Sequence, residues 1–160
     1  MEIPIWNWSG GNFPGGPKVA RRVAWIIWGS MIAGLLLFLG VTVLVNLTAP
    51  LPPQDAMTIW LLTAIACFLA AIMLPIMWLV RRWCFRRGTG EEGAIAPMQY
   101  LAGSICLWAG CEGLGLFEIV VMMLRGRPGL ELVPLAVGLI VMVLTRPNAG
   151  MMQPPPGGPR

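Results

Sequence analysis

Residues 100–124 read YLAGSICLWAGCEGLGLFEIVVMML, and this stretch decides the fold. It contains no Lys, Arg, Asp, Asn or Pro. About 20 predominantly apolar residues carry an α-helix across the hydrocarbon core of a bilayer, so the stretch predicts a membrane-spanning helix. Glu112 stands at its midpoint, and Glu118 follows about 9 Å further along by helical rise. A carboxyl at that depth is expensive unless it is protonated, paired or wetted, which makes both acids candidates for function.

Working outward, three more apolar stretches emerge, at about 23–45, 57–80 and 130–145. The last is the shortest and carries Pro134 near its start. The chain is 57% hydrophobic and 11% charged, whereas a soluble domain is about 25% charged. Its 160 residues allow one bundle. The expectation is an all-α fold, a four-transmembrane-helix bundle over residues 18–146. Pro50, Pro52 and Pro53 break the chain after the first span, and Gly126, Pro128 and Gly129 make a tight turn after the third. Residues 1–17, with Trp6, Trp8 and Phe13 among glycines and prolines, read as an irregular arm at the membrane surface. The acidic start and the late first apolar run do not read as a signal peptide. The Pro/Gly-rich tail, residues 147–160, is expected to be disordered.

Orientation follows from the basic residues. Lys18, Arg21 and Arg22 precede the first span, Arg81, Arg82, Arg86 and Arg87 follow the second, and Arg146 and Arg160 follow the fourth. Only Arg125 and Arg127 lie on the other side. Both termini are therefore expected in the cytoplasm, as in a bacterial inner-membrane protein. Bunched at span ends, the positive charge gives no nucleic-acid surface. Arg81, Arg82, Arg86 and Arg87 read as a topology determinant, with anionic-lipid headgroups as the functional alternative. Trp25, Trp28, Trp60, Trp78, Trp83 and Tyr100 fall near span boundaries, as an aromatic belt would. Trp108 lies deep in the third span and is expected to pack against a neighbouring helix.

Histidine is absent, which excludes imidazole-bound haem, His metal sites and His acid–base catalysis. The four cysteines, Cys67, Cys84, Cys106 and Cys111, lie in or beside spans and read as packing residues rather than a disulfide framework. The Gly88–Gly93 segment lacks the Lys-Ser/Thr of a phosphate-binding loop and reads as a linker. No cofactor and no enzymatic activity are expected. Trp28, Gly34, Leu35, Leu37 and Phe38 resemble Trp108, Gly113, Leu114, Leu116 and Phe117. Such an internal repeat would make the bundle a parallel duplication of a two-helix unit.

Ala102, Cys106, Ala109 and Gly113 form one small-residue stripe on the third span, the pattern that lets membrane helices approach closely. Glu112 lies beside that stripe, and Glu118 is turned about 120° from it. The two acids therefore do not make a catalytic dyad. Ser30, Thr63, Ser104, backbone carbonyls or a partner subunit are the expected partners of Glu112. Three roles stay open for it: a neutral carboxylic acid bonding between helices, a reversible proton or cation site, and a contact for a charged helix of a partner.

The run Ala109-Gly110-Cys111-Glu112-Gly113-Leu114-Gly115-Leu116-Phe117 resembles the ion-carrying helix of rotary-ATPase proteolipids. That resemblance implies Glu112 as a protonatable ion carrier. The likeness is local: the second span has Ala64, Ala66, Ala70 and Ala71 rather than a glycine ladder, and Glu118 stands where the family has glycine. The E-x-x-x-L-F pattern of Glu112, Leu116 and Phe117 also resembles helices of small four-span bacterial membrane proteins. The favoured expectation is a structural or accessory membrane subunit, in the lipid bilayer, packing with itself or with a larger complex. A proteolipid-like proton or cation carrier is the alternative.

Overall fold

Asp55 caps a helix that begins at Ala56, accepting from the Thr58 backbone N–H and hydroxyl, each at 3.3 Å. In the computed structural model, which describes residues 16–49, 55–89, 95–126, 129–130 and 132–152, four helices follow in order. They are α1 (Gly16–Thr48), α2 (Ala56–Gly88), α3 (Pro97–Arg125) and α4 (Leu132–Leu144), with a 3-10 turn at Ala149–Met152. The expected all-α fold is present. α1 and α2 run well past their apolar stretches, through Lys18, Arg21 and Arg22 and through Arg81–Arg87. Arginine and lysine are good helix formers, and no proline lies within residues 18–22 or 81–87. α3 ends at Gly126, whose left-handed backbone (φ 70°) lets its N–H reach the Met122 and Met123 carbonyls. The expected arm before residue 16, the prolines at 50–53, residues 90–94 of the linker, Arg127, Pro128 and the tail from 153 lie outside the described residues.

α3 is the hub. Of its apolar window 44% is buried, against 11% for α1 and 17% for α2. Large apolar side chains instead point outward: Ile26, Leu37 and Leu47 on α1, Trp60, Phe68 and Leu79 on α2, Val133 and Leu144 on α4. α1, α2 and α3 are each long and apolar enough to cross a membrane. Glycines at close helix contacts, as at Gly103 and Gly110, and large apolar residues outside are what a bilayer solvent selects. This is an integral membrane protein.

α1 and α3 lie parallel, with Gly34 beside Glu112 and Leu35 beside Gly115. α2 runs antiparallel to α3, with Gly88 against Gln99 and Arg81 against Gly103. The halves are unequal, since α2 has 33 residues and α4 only 13. A two-helix duplication is therefore not reflected in helix length.

The fourth segment corrects two expectations. α4 has 13 residues rather than the 16 of the expected 130–145 span. By rise it covers roughly 20 Å, short of a core about 30 Å thick. Of the expected tail, residues 147–152 do not hang loose but pack along α3. Leu135 meets Gly115, Gly138 meets Cys111, Thr145 meets Trp108, Asn148 meets Tyr100 and Met151 meets Ile95. Leu132–Met152 thus lies along α3 almost to its beginning, first as helix and then as irregular chain.

Irregular backbone at such depth survives only when its polar groups are satisfied by protein. Here they are. Thr145 and Arg146 donate to the Val141 and Val143 carbonyls, Pro147 has no N–H, Asn148 donates to the Tyr100 hydroxyl at 2.9 Å, and Gly150 donates to Asn148 Oδ1. Ile95 donates to Met151 O, which ties the far end down.

Candidate functional site

Glu112 sits on the flank of α3 that faces α1. Gly34 of α1 lies against it: a Cβ there would stand in ordinary van der Waals contact, 3.6 Å from Glu112 Oε1. Gly34, Leu37 and Phe38 from α1, with Glu112, Gly113, Leu116, Phe117 and Val120 from α3, line an open groove of about 670 Å³. Glu112 is half-buried, while Gly34 and Gly113 are exposed. Nothing lies within 4 Å of a Cβ built on Gly113. The groove is apolar apart from the one carboxyl, and it opens away from the bundle.

None of the expected side-chain partners reaches that carboxyl. Ser30 Oγ donates to Ile27 O at 2.9 Å and Thr63 Oγ1 to Ile59 O at 2.9 Å. Ser104 Oγ is buried without a hydrogen-bond partner. No described residue forms a hydrogen bond or ion pair with Glu112.

Glu118 is placed elsewhere. It is 1% exposed, within the bundle, and by the Leu135–Gly115 register it lies level with the start of α4. Although nearer the Arg125 end of α3, it is the more buried of the two acids. The structure does not bring the two acids into one site.

The tight seam of α3 lies partly one residue away from the expected stripe. Cys106 does meet α2, its thiol 3.4 Å from Met77 Sδ. Ala102, Ala109 and Gly113 face outward. Close approach occurs at Gly103, where a Cβ would stand 3.0 Å from Cys84 Cβ and 3.3 Å from the Arg81 backbone, and at Gly110, 2.8 Å from Met77 Cγ. Gly115 admits Leu35 and Leu135 on another face. Alanine and glycine are interchangeable in a small-residue count, yet only the glycines admit the neighbouring atoms at these distances. Of the small residues left outside, Gly113 lines the Glu112 groove.

The basic residues divide. Arg81, Arg82 and Arg86 line a groove beside the end of α2, while the Arg87 guanidinium stacks 3.8 Å above the centroid of a Trp83 ring. Trp25, Trp60, Trp78 and Trp83 are exposed, as belt residues are. Trp28 and Tyr100 are not belt residues. Tyr100 is fully buried, stacked on Phe85 at 5.4 Å, and Trp28 Nε1 donates to Met142 O at 2.8 Å. Trp108, also fully buried, donates to Thr145 Oγ1 at 3.1 Å, and that hydroxyl donates to Val141 O at 2.7 Å.

The Trp28 indole and the Thr145 hydroxyl therefore donate to two carbonyls near the end of α4, and the Trp108 indole donates to that hydroxyl, a constellation the sequence reading missed. Its signal was available. Pro147 ends α4 early, which leaves carbonyls at depth in need of donors, and the spans supply few donors other than indoles. Comparison of the chain with protein-family models, with curated proteins and with solved structures finds no match.

Proposed function

We propose that this chain is a non-enzymatic assembly subunit, packing with itself or with a larger membrane complex through the Glu112 groove. The observation that supports this is the half-buried Glu112 carboxyl, unbonded among the described residues, in an outward-opening groove near mid-length of α3. Hydrocarbon offers such a group no hydrogen bond, so its exposure to lipid is costly. A second helix laid into the groove supplies a donor or acceptor. Gly34 and Gly113 let its backbone come close, and Leu37, Leu116 and Phe117 give it dispersion contacts.

The test is Gly113→Leu. With open space around that Cβ, the substitution fills the groove without clashing inside the chain. The variant is expected to fold normally yet run as a smaller species in detergent, by light scattering coupled to size exclusion. An unchanged mass for folded Gly113→Leu beside an assembled wild type, or a wild type that is monomeric in its native membrane under crosslinking, would overturn the reading.

A reversible proton or cation site at Glu112 is the second reading, favoured by the access that the open groove gives to the carboxyl. Glu112→Gln separates the two. It keeps a donor and an acceptor and so preserves assembly, but it removes ion exchange and any slow labelling by a hydrophobic carbodiimide.

The Lys/Arg distribution supports a bacterial inner-membrane orientation with both termini in the cytoplasm. The register of Leu132–Met152 along α3 supports a fourth crossing made of helix plus irregular chain.

A further inference from the structure

Trp78, Arg81, Arg82, Phe85, Arg86 and Thr89 follow one another at helical spacing on one flank of α2, and together they line a groove of about 320 Å³. Arg81 is the unusual member. Only 8% of it is exposed, and its guanidinium lies 4.8 Å above the centroid of Phe85 and 5.5 Å from that of Trp78. Its backbone is pinned by the approach of Gly103 from α3. Its Nε is buried with no hydrogen-bond partner. Neither Arg81, Arg82 nor Arg86 forms an ion pair with a described residue. The described carboxylates stand elsewhere: Asp55 caps the opposite end of α2, and Glu112 and Glu118 sit farther along α3.

Three like charges on one flank, one of them buried with an unused donor, form an incomplete arrangement. An oxyanion completes it. Phosphate fits best, because planar guanidinium forks bind its oxygens bidentately and the aromatic rings hold the Arg81 fork in place.

A second groove separates lipid phosphate from free phosphate. Leu79, Val80, Arg82, Trp83 and Arg86 line a space of about 520 Å³ next to the first, with Arg82 and Arg86 shared between them. Its apolar wall, Leu79 and Val80, belongs to the apolar part of α2 that precedes the arginines. A molecule occupying both grooves carries phosphate beside an acyl chain. We propose that this end of α2 is a binding site for an anionic phospholipid, with the phosphate on Arg81, Arg82 and Arg86 and a chain along Leu79 and Val80. The site is independent of the Glu112 groove.

Arg87 supplies the control, since it stacks on Trp83 and lines neither groove. The full chain, purified in detergent, is titrated by native mass spectrometry with dioleoylphosphatidylglycerol, dioleoylphosphatidylcholine and glycerol 3-phosphate. The anionic lipid is expected to stay bound in preference to the zwitterionic one, and glycerol 3-phosphate to bind far more weakly than either lipid-anchored phosphate. Arg82→Gln and Arg86→Gln should each weaken the anionic lipid about fivefold, the worth of roughly one juxtamembrane basic contact, and Arg87→Gln less than about twofold. Arg81→Gln should weaken it most. Because Arg81 also packs against α3, the two exposed arginines decide the matter if that variant does not fold. Equal retention of the two lipids, or an Arg87→Gln loss as large as that of Arg82→Gln, would overturn the site. Glycerol 3-phosphate binding as tightly as the lipid would overturn the lipid assignment.

Discussion

Trp28 of α1 donates its indole N–H to the carbonyl of Met142, in the last turn of α4, at 2.8 Å. The two residues are far apart in sequence, yet this bond helps close the end of a helix that stops within the bundle. Trp108 acts beside it through Thr145. The bonds explain how a 13-residue helix can end where lipid offers no donors.

Trp28→Phe keeps the ring and removes the donor, leaving Met142 O with only a 3.5 Å contact from Thr145 Oγ1. The expected loss is about 1–3 kcal/mol, the cost of orphaning a buried acceptor. Trp25→Phe, on an exposed neighbour, should change little. Unfolding in mixed micelles measures both, and equal effects would show that the bond does not hold α4.

Gly103→Ala should destabilise the bundle while Gly113→Ala should not. The new Cβ at Gly103 meets Cys84 Cβ at 3.0 Å and the Arg81 backbone at 3.3 Å, and backbone atoms do not yield as side-chain ends do. Overpacking of this kind costs about 1–3 kcal/mol. At Gly113 nothing lies within 4 Å. Thermal melts in detergent under one set of conditions decide between them.

Tyr100→Phe removes the hydroxyl that accepts the Asn148 N–H. The segment from Thr145 to Met152 should loosen while α1, α2 and α3 stay intact. Hydrogen exchange is the measurement: faster exchange at Asn148 and Gly150, with unchanged protection in α3, is expected. Uniformly faster exchange would mean that the segment is coupled to the whole bundle.

A reporter fused after residue 152 should share the compartment of one fused before residue 16, because Leu132–Met152 returns along α3 to its starting end. A reporter at Arg125 should lie opposite. Same-side signals from the Arg125 and C-terminal fusions would show that the fourth segment turns back without crossing.

The apolar runs, the breaks at Pro50–Pro53 and Gly126, and the central place of Glu112 were legible because they depend on composition and local backbone preference. Helix count followed from those alone. Which face of α3 meets which neighbour did not. Ala102 and Gly103 are adjacent, both small, and only the second meets α2 tightly. Glu112 and Glu118 are the same residue type on one apolar helix, and helix packing puts one in an open groove and buries the other. Trp28 and Tyr100 read as interfacial until Met142 and Asn148 were brought to them. The sequence by itself determined a membrane helix bundle with an acid at mid-span. The tertiary structure decided which groups are exposed and which are satisfied, because helix rotation and register are set by contacts between residues distant in the chain.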